Sequence, residues 1–292
     1  MKVFEKVGII GVHHTLKVST SIKFLLEFLE KKFTLWIEKE TSLNLGLNVY
    51  GYSLEDIANN CHVAIIVGGD GNFLNFGRIL SLYKNIPIVG INRGKLGFLT
   101  DINPRDISSN LSDILVRKKF YKEKRFMISG KVYRYKQKRY LNFALNDVVL
   151  ASNQHSPLFR MKININKKCA FAQRANGIIV STPTGSTAHA LSAGGPIVHP
   201  LIDALIIVPI FSHSLNSRPI VISANSLLEI EVIDRVKTLP MLSFDGSMKQ
   251  QLDLGDRLVI KKCKPYLTIL HPIDYNYFGS LRSKLHWNKT LS

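Results

Sequence analysis

Five consecutive apolar residues, Val63-Ala64-Ile65-Ile66-Val67, lead without a break into Gly68-Gly69-Asp70-Gly71. A run with no polar alternation suits a parallel strand covered on both faces, and parallel strands need crossovers, which helices supply. The neighbouring segments carry the matching patterns. Residues 7–12 read as a short buried strand. From Ser19 the apolar positions Ile22, Leu25, Leu26, Leu29 and Phe33 recur at three and four residues, which predicts a helix capped at Ser19, Thr20 or Ser21. Residues 34–40 read as a strand, Ser53 and Asp56 as a capping box opening a helix through Asn59, 74–82 as a helix and 86–91 as a further apolar strand. Repeated units of this kind predict an α/β N-terminal domain with a parallel sheet.

Beyond about residue 118 the texture changes to short β-rich segments at 127–135, 141–150, 161–166, 177–181, 205–211, 219–223, 227–233, 241–244, 257–261 and 266–270. Turn residues separate most of them, and one helix-like interruption falls at 187–193. The spacing predicts a mainly β C-terminal domain, with the boundary in the basic stretch 117–125. A length of 292 residues suits about two domains.

Composition excludes several classes. With 46% hydrophobic and 21% charged residues, and 19 Gly and 11 Pro that follow no period, the chain is neither disordered nor fibrous. Cys61, Cys169 and Cys263 are far apart and without ligand spacing, so neither a disulfide framework nor a structural metal site is expected. No signal-peptide pattern and no membrane-spanning apolar run is present, and a cytoplasmic protein is the simplest reading. The net charge of +18 raises the local concentration of any polyanion but names none, and its clusters at 117–119, 122–125 and 134–139 read as solvated faces. His13 and His14, without an acidic or cysteine partner at ligand spacing, read as loop residues.

Four motifs carry chemistry. Gly68-Gly69-Asp70-Gly71 stands at the carboxyl end of a buried strand, where open α/β sheets place their ligands, and its glycines let phosphate oxygens approach backbone amides. Asp70 has three readings there: a general base, a magnesium ligand, or a helix cap. Asn92-Arg-Gly-Lys-Leu-Gly-Phe-Leu-Thr-Asp101 follows the next strand, with Phe98 either a stacking surface for a base or a core residue. Asn146-Asp147 interrupts an apolar strand with two polar groups that either face a ligand or pair within the core. Finally, six hydroxyl residues between Ser181 and Ser192, interleaved with small residues, predict a donor-rich surface for phosphates and sugar hydroxyls near a helix start at Thr187. A P-loop, a dinucleotide fingerprint and a nucleophile elbow are all missing.

Together these four motifs resemble the bacterial NAD kinases, the ATP- or polyphosphate-NAD kinase family, and the likeness runs through the tail from His271 to Trp287. The resemblance implies an α/β domain over residues 1–120, to which a tail at 272–292 returns, and a β-rich NAD-binding domain over 121–271. It implies phosphoryl transfer from ATP, with a divalent cation such as Mg, to the adenosine 2′-hydroxyl of NAD, and a homo-oligomer, dimer or tetramer, with neither a nucleic acid nor a membrane as partner. By the same likeness Asp70 is the general base, Gly71 approaches the nucleotide and Phe98 lies by the adenine. Asn146 and Asp147 hold the dinucleotide, Arg174 and Asn176 line the site, and Thr187, Ala188, His189, Ala190, Leu191 and Ser192 cradle it. Asp147, Asn176, His189 and Ser247 stand where the family more often has Glu, Asp, Tyr and Gln. The alternatives are a lipid or sugar kinase with the same glycine loop, and a basic nucleotide- or nucleic-acid-binding protein without catalysis.

Overall fold

In a computed structural model, which describes residues 4–11, 15–47, 50–94, 97–135, 137–152, 158–214, 216–234 and 239–286, the apolar run at 63–67 is the wholly buried middle of a parallel sheet. The first unit comprises Met1–Lys124 and Tyr266–Ser292. Its elements are β1 (Lys6–Gly11), α1 (Leu16–Leu29), β2 (Thr34–Ile37), α2 (Lys39–Asn44), α3 (Leu54–Asn60), β3 (Val63–Gly68), α4 (Asp70–Tyr83), β4 (Pro87–Asn92) and α5 (Ile107–Leu111). Strand β1 pairs with β2 on one side and β3 on the other, and β3 pairs with β4, all parallel. The chain therefore leaves the β1–β3 pair in opposite directions, the topological switch at which α/β sheets bind ligands beyond their carboxyl ends. Ile9, Ile65, Val67, Val89 and Ile91 of the sheet close a core with Ile22, Leu25 and Leu29 of α1 and with Ile107, Leu111 and Ile114.

Several boundaries differ from the sequence expectation, each for a local reason. Helix α1 begins at Leu16, with Thr15 as N-cap, because the hydroxyls expected to cap it are used inside it. Thr20 Oγ1 donates back to the Leu16 carbonyl, and buried Ser21 accepts from Arg93 Nε. Strand β2 stops at Ile37 because the Glu38 carboxylate caps α2, accepting from the amides of Glu40 (3.0 Å) and Thr41 (2.8 Å). Pro104–Asp106, α5 and Ser112–Arg117 form a helical stretch the apolar pattern did not announce. The Ser53 capping box is present as read: Ser53 Oγ accepts from the Asp56 amide (3.0 Å), and Asp56 Oδ2 from the Ser53 amide (3.2 Å). His13 and His14 lie outside the described residues.

The second unit, Arg125–Pro265, is mainly antiparallel β. The chain continues through β5 (Tyr121–Arg134), β6 (Gln137–Ala144), β7 (Asp147–Ala151), β8 (Phe159–Ile165), β9 (Lys168–Ser181), α6 (His189–Ser192), β10 (Ala204–Ser212), β11 (Ile220–Ser223), β12 (Leu228–Val232), β13 (Met241–Phe244), β14 (Ser247–Gln251), β15 (Arg257–His271) and α7 (Tyr277–Leu285). Strand β9 is the hub, pairing with β7, β8 and β10. The strand expected at 141–150 is two strands, β6 and β7, split at Leu145-Asn146. The two expected at 257–261 and 266–270 are one, β15, which pairs antiparallel with β12 at Ile260 and parallel with β4 at Ile269. Strands β5 and β15 carry the chain between the units without a linker. The units accordingly meet in sequence at 124/125 and 265/266.

Ser53→Ala removes one half of a reciprocal cap, and we expect it to cost about 1 kcal/mol. Urea denaturation should show a lower midpoint with an unchanged slope.

Candidate active site

In the first unit the site is built on Asp70. Gly69, not Asp70, is the N-cap of α4, and the Asp70 carboxylate does not cap the helix. It faces the segment after β4 instead. Oδ2 accepts from the Phe98 amide at 2.6 Å, and Oδ1 from the amides of Leu99 and Thr100 at 3.1 Å each and from Thr100 Oγ1 at 3.0 Å. Lys284 of α7 adds an ion pair, Nζ to Oδ2, at 3.1 Å. Asn92 holds Thr100 in turn, its Nδ2 donating to the Thr100 carbonyl (3.2 Å) and hydroxyl (3.1 Å). Gly97 is a steric requirement of this arrangement, because a methyl group there would collide with Asp70 Oδ1 and Thr100 Oγ1.

Gly68, Gly69 and Gly71 do not adopt a left-handed conformation, so their freedom to turn is not what the loop uses. Among the described residues nothing beyond their own chain neighbours and helix backbone lies within 4 Å of where a side chain would begin at Gly69 or Gly71, so no packing contact described there accounts for those two glycines. What they leave is open space over the first amides of α4, which have no carbonyl partner inside the helix. Phe98 is half-buried against α7: its ring lies 6.3 Å from that of Tyr277, and Lys284 Nζ lies 4.2 Å from its centroid. At the far end of the same segment, buried His271 bridges Asp101 (2.8 Å) and Glu123 (3.1 Å). Burial opposes its protonation, but the two carboxylates outweigh burial and hold it above the usual histidine range.

In the second unit Asn146 and Asp147 stand at the break between β6 and β7, and Asp245, which sequence reasoning missed, makes that break. Its carboxylate accepts three successive amides, Leu145 (3.0 Å), Asn146 (2.8 Å) and Asp147 (3.2 Å). Burial, opposed by those amides, pushes Asp245 up to about 6. The Asp245-Gly246 pair, with positive φ at both residues, was the available signal for a tight turn that aims a carboxylate backwards. Asp147 is fully buried and meets His189 Nδ1 at 3.2 Å. The hydrogen bond to Asp147 raises His189 above its ordinary value against a smaller effect of burial, and Asp245 adds to the rise. His189 also lines a cleft of about 460 Å³ with apolar walls from Ile179, Pro209, Ile210 and Phe211.

The hydroxyl-rich segment behaves differently from its sequence reading. Ser181, Thr182 and Ser186 are fully buried and spend their hydroxyls inside the fold, on the carbonyls of Asn146, Leu145, Pro183 and Val198 among others. Thr184 is buried too and accepts from Arg125. They pin the turn against Asn146, and Gly185 is required there because a side chain would strike the Asn146 carbonyl. Only Thr187 and Ser192 remain toward the surface. The helix start expected at Thr187 is a 3-10 turn, Thr184–Thr187, and α6 has four residues and no side-chain cap. Ala188 and Leu191 are half-buried, and Ala190 is buried in a small cluster with Ile179, Val198 and Ile206. Arg174 is exposed and Asn176 half-buried on β9, and among the described residues neither hydrogen bonds to Asn146, Asp147 or His189. Ser247 turns its hydroxyl back to the Phe244 carbonyl.

A histidine raised by its partner contributes stability that is complete below its unfolded value and is lost as pH rises through the folded one. Because the His189 side chain is 58% exposed, solvent screening limits the contribution to less than about 1 kcal/mol. The difference in thermal midpoint between the parent and His189→Gln should be largest near pH 6 and shrink toward pH 9.

Models of the ATP-NAD kinase N-terminal and C-terminal domains match residues 9–119 and 145–271. The chain is 42% identical over 292 residues to an NAD kinase of Francisella tularensis subsp. novicida (strain U112), covering 99% of this chain and 98% of that one. It is 40% identical over 291 residues to an NAD kinase of Cellvibrio japonicus (strain Ueda107), covering 97% and 96%. Among solved structures, yeast NADH kinase complexed with NADH has the same fold, with a TM-score of 0.89 at 20% identity over 99% of this chain and 89% of that one. An NAD kinase from Archaeoglobus fulgidus in complex with ATP gives a TM-score of 0.75 at 22% identity over 95% and 99%. Matched along nearly its whole length and through both of its domains, this chain belongs to the NAD kinase family.

Proposed function

We propose that the protein transfers the γ-phosphoryl group of ATP to the adenosine 2′-hydroxyl of NAD, giving NADP, with Asp70 accepting the hydroxyl proton. The observation that carries this reading is a carboxylate held at the carboxyl end of β3, beside two glycines whose open space is not filled by any side chain among the described residues. Phosphoryl transfer passes through a loose transition state, so positioning and charge neutralisation outweigh early deprotonation, and a carboxylate fixed by backbone amides is a positioned acceptor. Lys17, Asn92, Arg93 and Gly94 line a neighbouring cleft of about 360 Å³, with two cations suited to a polyanionic donor.

The metal is part of this reading on the substrate side. Among the described residues no group of three His, Cys, Asp or Glu side chains is placed to hold an ion, and the groups gathered around Asp70 are three amides, a hydroxyl and an ammonium, not further anionic ligands. The residues therefore do not fit a resident metal site, and magnesium enters bound to the ATP phosphates, as this ion commonly does. For the binding of NAD we assign Gly71, Phe98, Asn146, Asp147, Arg174, Asn176 and Thr187 to Ser192. A cytoplasmic location is supported by three free thiols, of which burial pushes Cys61 up to about 12 and Cys263 up to about 11. Among the described residues no helix is long and apolar enough to cross a membrane. A homo-oligomer is supported by the outer strand β11 and the end of β10, which expose Ile220, Val221 and Phe211.

The test is a coupled assay of the purified protein with NAD, ATP and magnesium, with a diacylglycerol and fructose 6-phosphate as competing acceptors. NADP formation is expected, and phosphorylation of either competitor in its place would replace the reading. Asp70→Asn should keep the fold and lose about 10² to 10⁴ in rate. An Asp70→Asn protein working at the parental rate would remove the residue from its role.

A further inference from the structure

An ionised carboxylate offers about four lone-pair positions on two oxygens. Asp70 is met by five donors. As it stands it has no position left for a substrate hydroxyl, so one donor must leave before the acceptor can bind it. Four of the five belong to residues 98–100, three of them backbone amides and the fourth the Thr100 hydroxyl, which is buried and itself held by Asn92 Nδ2 at 3.1 Å. The fifth, Lys284 Nζ, is the end of a flexible side chain from another element, 3.1 Å from Oδ2 and 19% exposed. Lys284 is therefore the donor that can be exchanged.

Where it goes on leaving is constrained as well. A hydroxyl that gives its proton to Oδ2 must stand close to where Nζ now stands. Its oxygen attacks the phosphorus in line, so the equatorial phosphoryl oxygens come within reach of the displaced ammonium. Lys284 sits in the last turn of α7, whose start is fixed by Asn276 accepting from the Gly279 amide at 3.1 Å, and its Nζ rides over the Phe98 ring. A cation on that ring keeps its charge near the carboxylate as it changes partner.

We propose that Lys284 is a catalytic residue that trades partners during the transfer: it neutralises Asp70 in the resting protein, yields Oδ2 to the acceptor hydroxyl, and then pairs with the oxygens of the transferring phosphoryl group. This rests on the phosphotransfer reading. In the step itself the hydroxyl proton passes to Asp70 and the hydroxyl oxygen forms a bond to the γ-phosphorus. The bond from that phosphorus to the bridging oxygen breaks and leaves its electron pair on ADP. Lys284 remains an ammonium throughout.

The experiment is steady-state kinetics of the full-length protein with NAD and magnesium ATP for Lys284→Met, Lys284→Arg, Asp70→Asn and the Asp70→Asn/Lys284→Met double variant. Lys284→Met should lose about 10²-fold in kcat, as expected for removal of a charge-stabilising group, with no rise in KM for NAD and only the small fall in thermal midpoint that losing one part-exposed ion pair gives. Lys284→Arg should restore most of the loss. In the Asp70→Asn background Lys284→Met should still lower kcat by about tenfold, because the phosphoryl contact does not pass through Asp70. Unaltered kcat in Lys284→Met, a loss appearing only as raised KM or lowered thermal midpoint, or no further loss in the double variant each overturns the inference while the phosphotransfer reading stands. A parental protein that makes no NADP overturns both.

Discussion

Everything in the first unit that bears on chemistry depends on a single carboxylate joining two loops. Asp70 leaves the end of β3 and is met by three successive amides from residues 98–100 after β4, so two neighbouring carboxyl ends of the sheet are tied at one point. Such charge-assisted bonds are shorter and stronger than neutral ones, and the Phe98 contact at 2.6 Å is of that kind. The tie has a steric condition at Gly97 and a second anchor at His271, which fixes Asp101 at the segment's far end. The residue best placed to do chemistry is thus also the residue that shapes its own loop.

How much of this was legible follows from the range of the interactions. The buried run at 63–67 and the Ser53–Asp56 cap depend on residues within four positions of one another, and both were readable. Asp70 was readable as important, because a carboxylate among glycines at a strand end breaks local rules. Its partners were not, because they lie 28 to 30 residues away, and in the case of Lys284 they lie 214 away. Composition could not say that Ser181, Thr182 and Ser186 turn inward, because a hydroxyl that donates to a neighbouring carbonyl and one that faces a ligand look the same in sequence. The start of α1 was misplaced for that reason: Ser19, Thr20 and Ser21 are good caps that tertiary contacts put to other uses. Family resemblance supplied site roles that neither periodicity nor spacing contained.

The second unit solves a different problem, the accommodation of two acids in one buried turn. Asp245 accepts the amides of residues 145–147, and Asp147, the last of those three, carries its own carboxylate into the core. Burial pushes Asp245 up to about 6 against its three amides, and the neighbouring Asp147 charge adds a smaller push in the same direction. His189 answers the other charge, its Nδ1 lying 3.2 Å from Oδ1 and 3.3 Å from Oδ2 of Asp147. Asp147 and His189, two of the four positions at which the sequence resemblance sets this chain apart, with Asp for Glu and His for Tyr, are therefore in contact. A shorter acid draws its charge back into the fold by one methylene, and a histidine can offer that charge a proton donor and a positive charge together, which a tyrosine cannot. The exposed face of the same imidazole borders the apolar cleft with Ile179, Pro209 and Phe211, so the charge of the pair and one wall of that cleft are set by one ring.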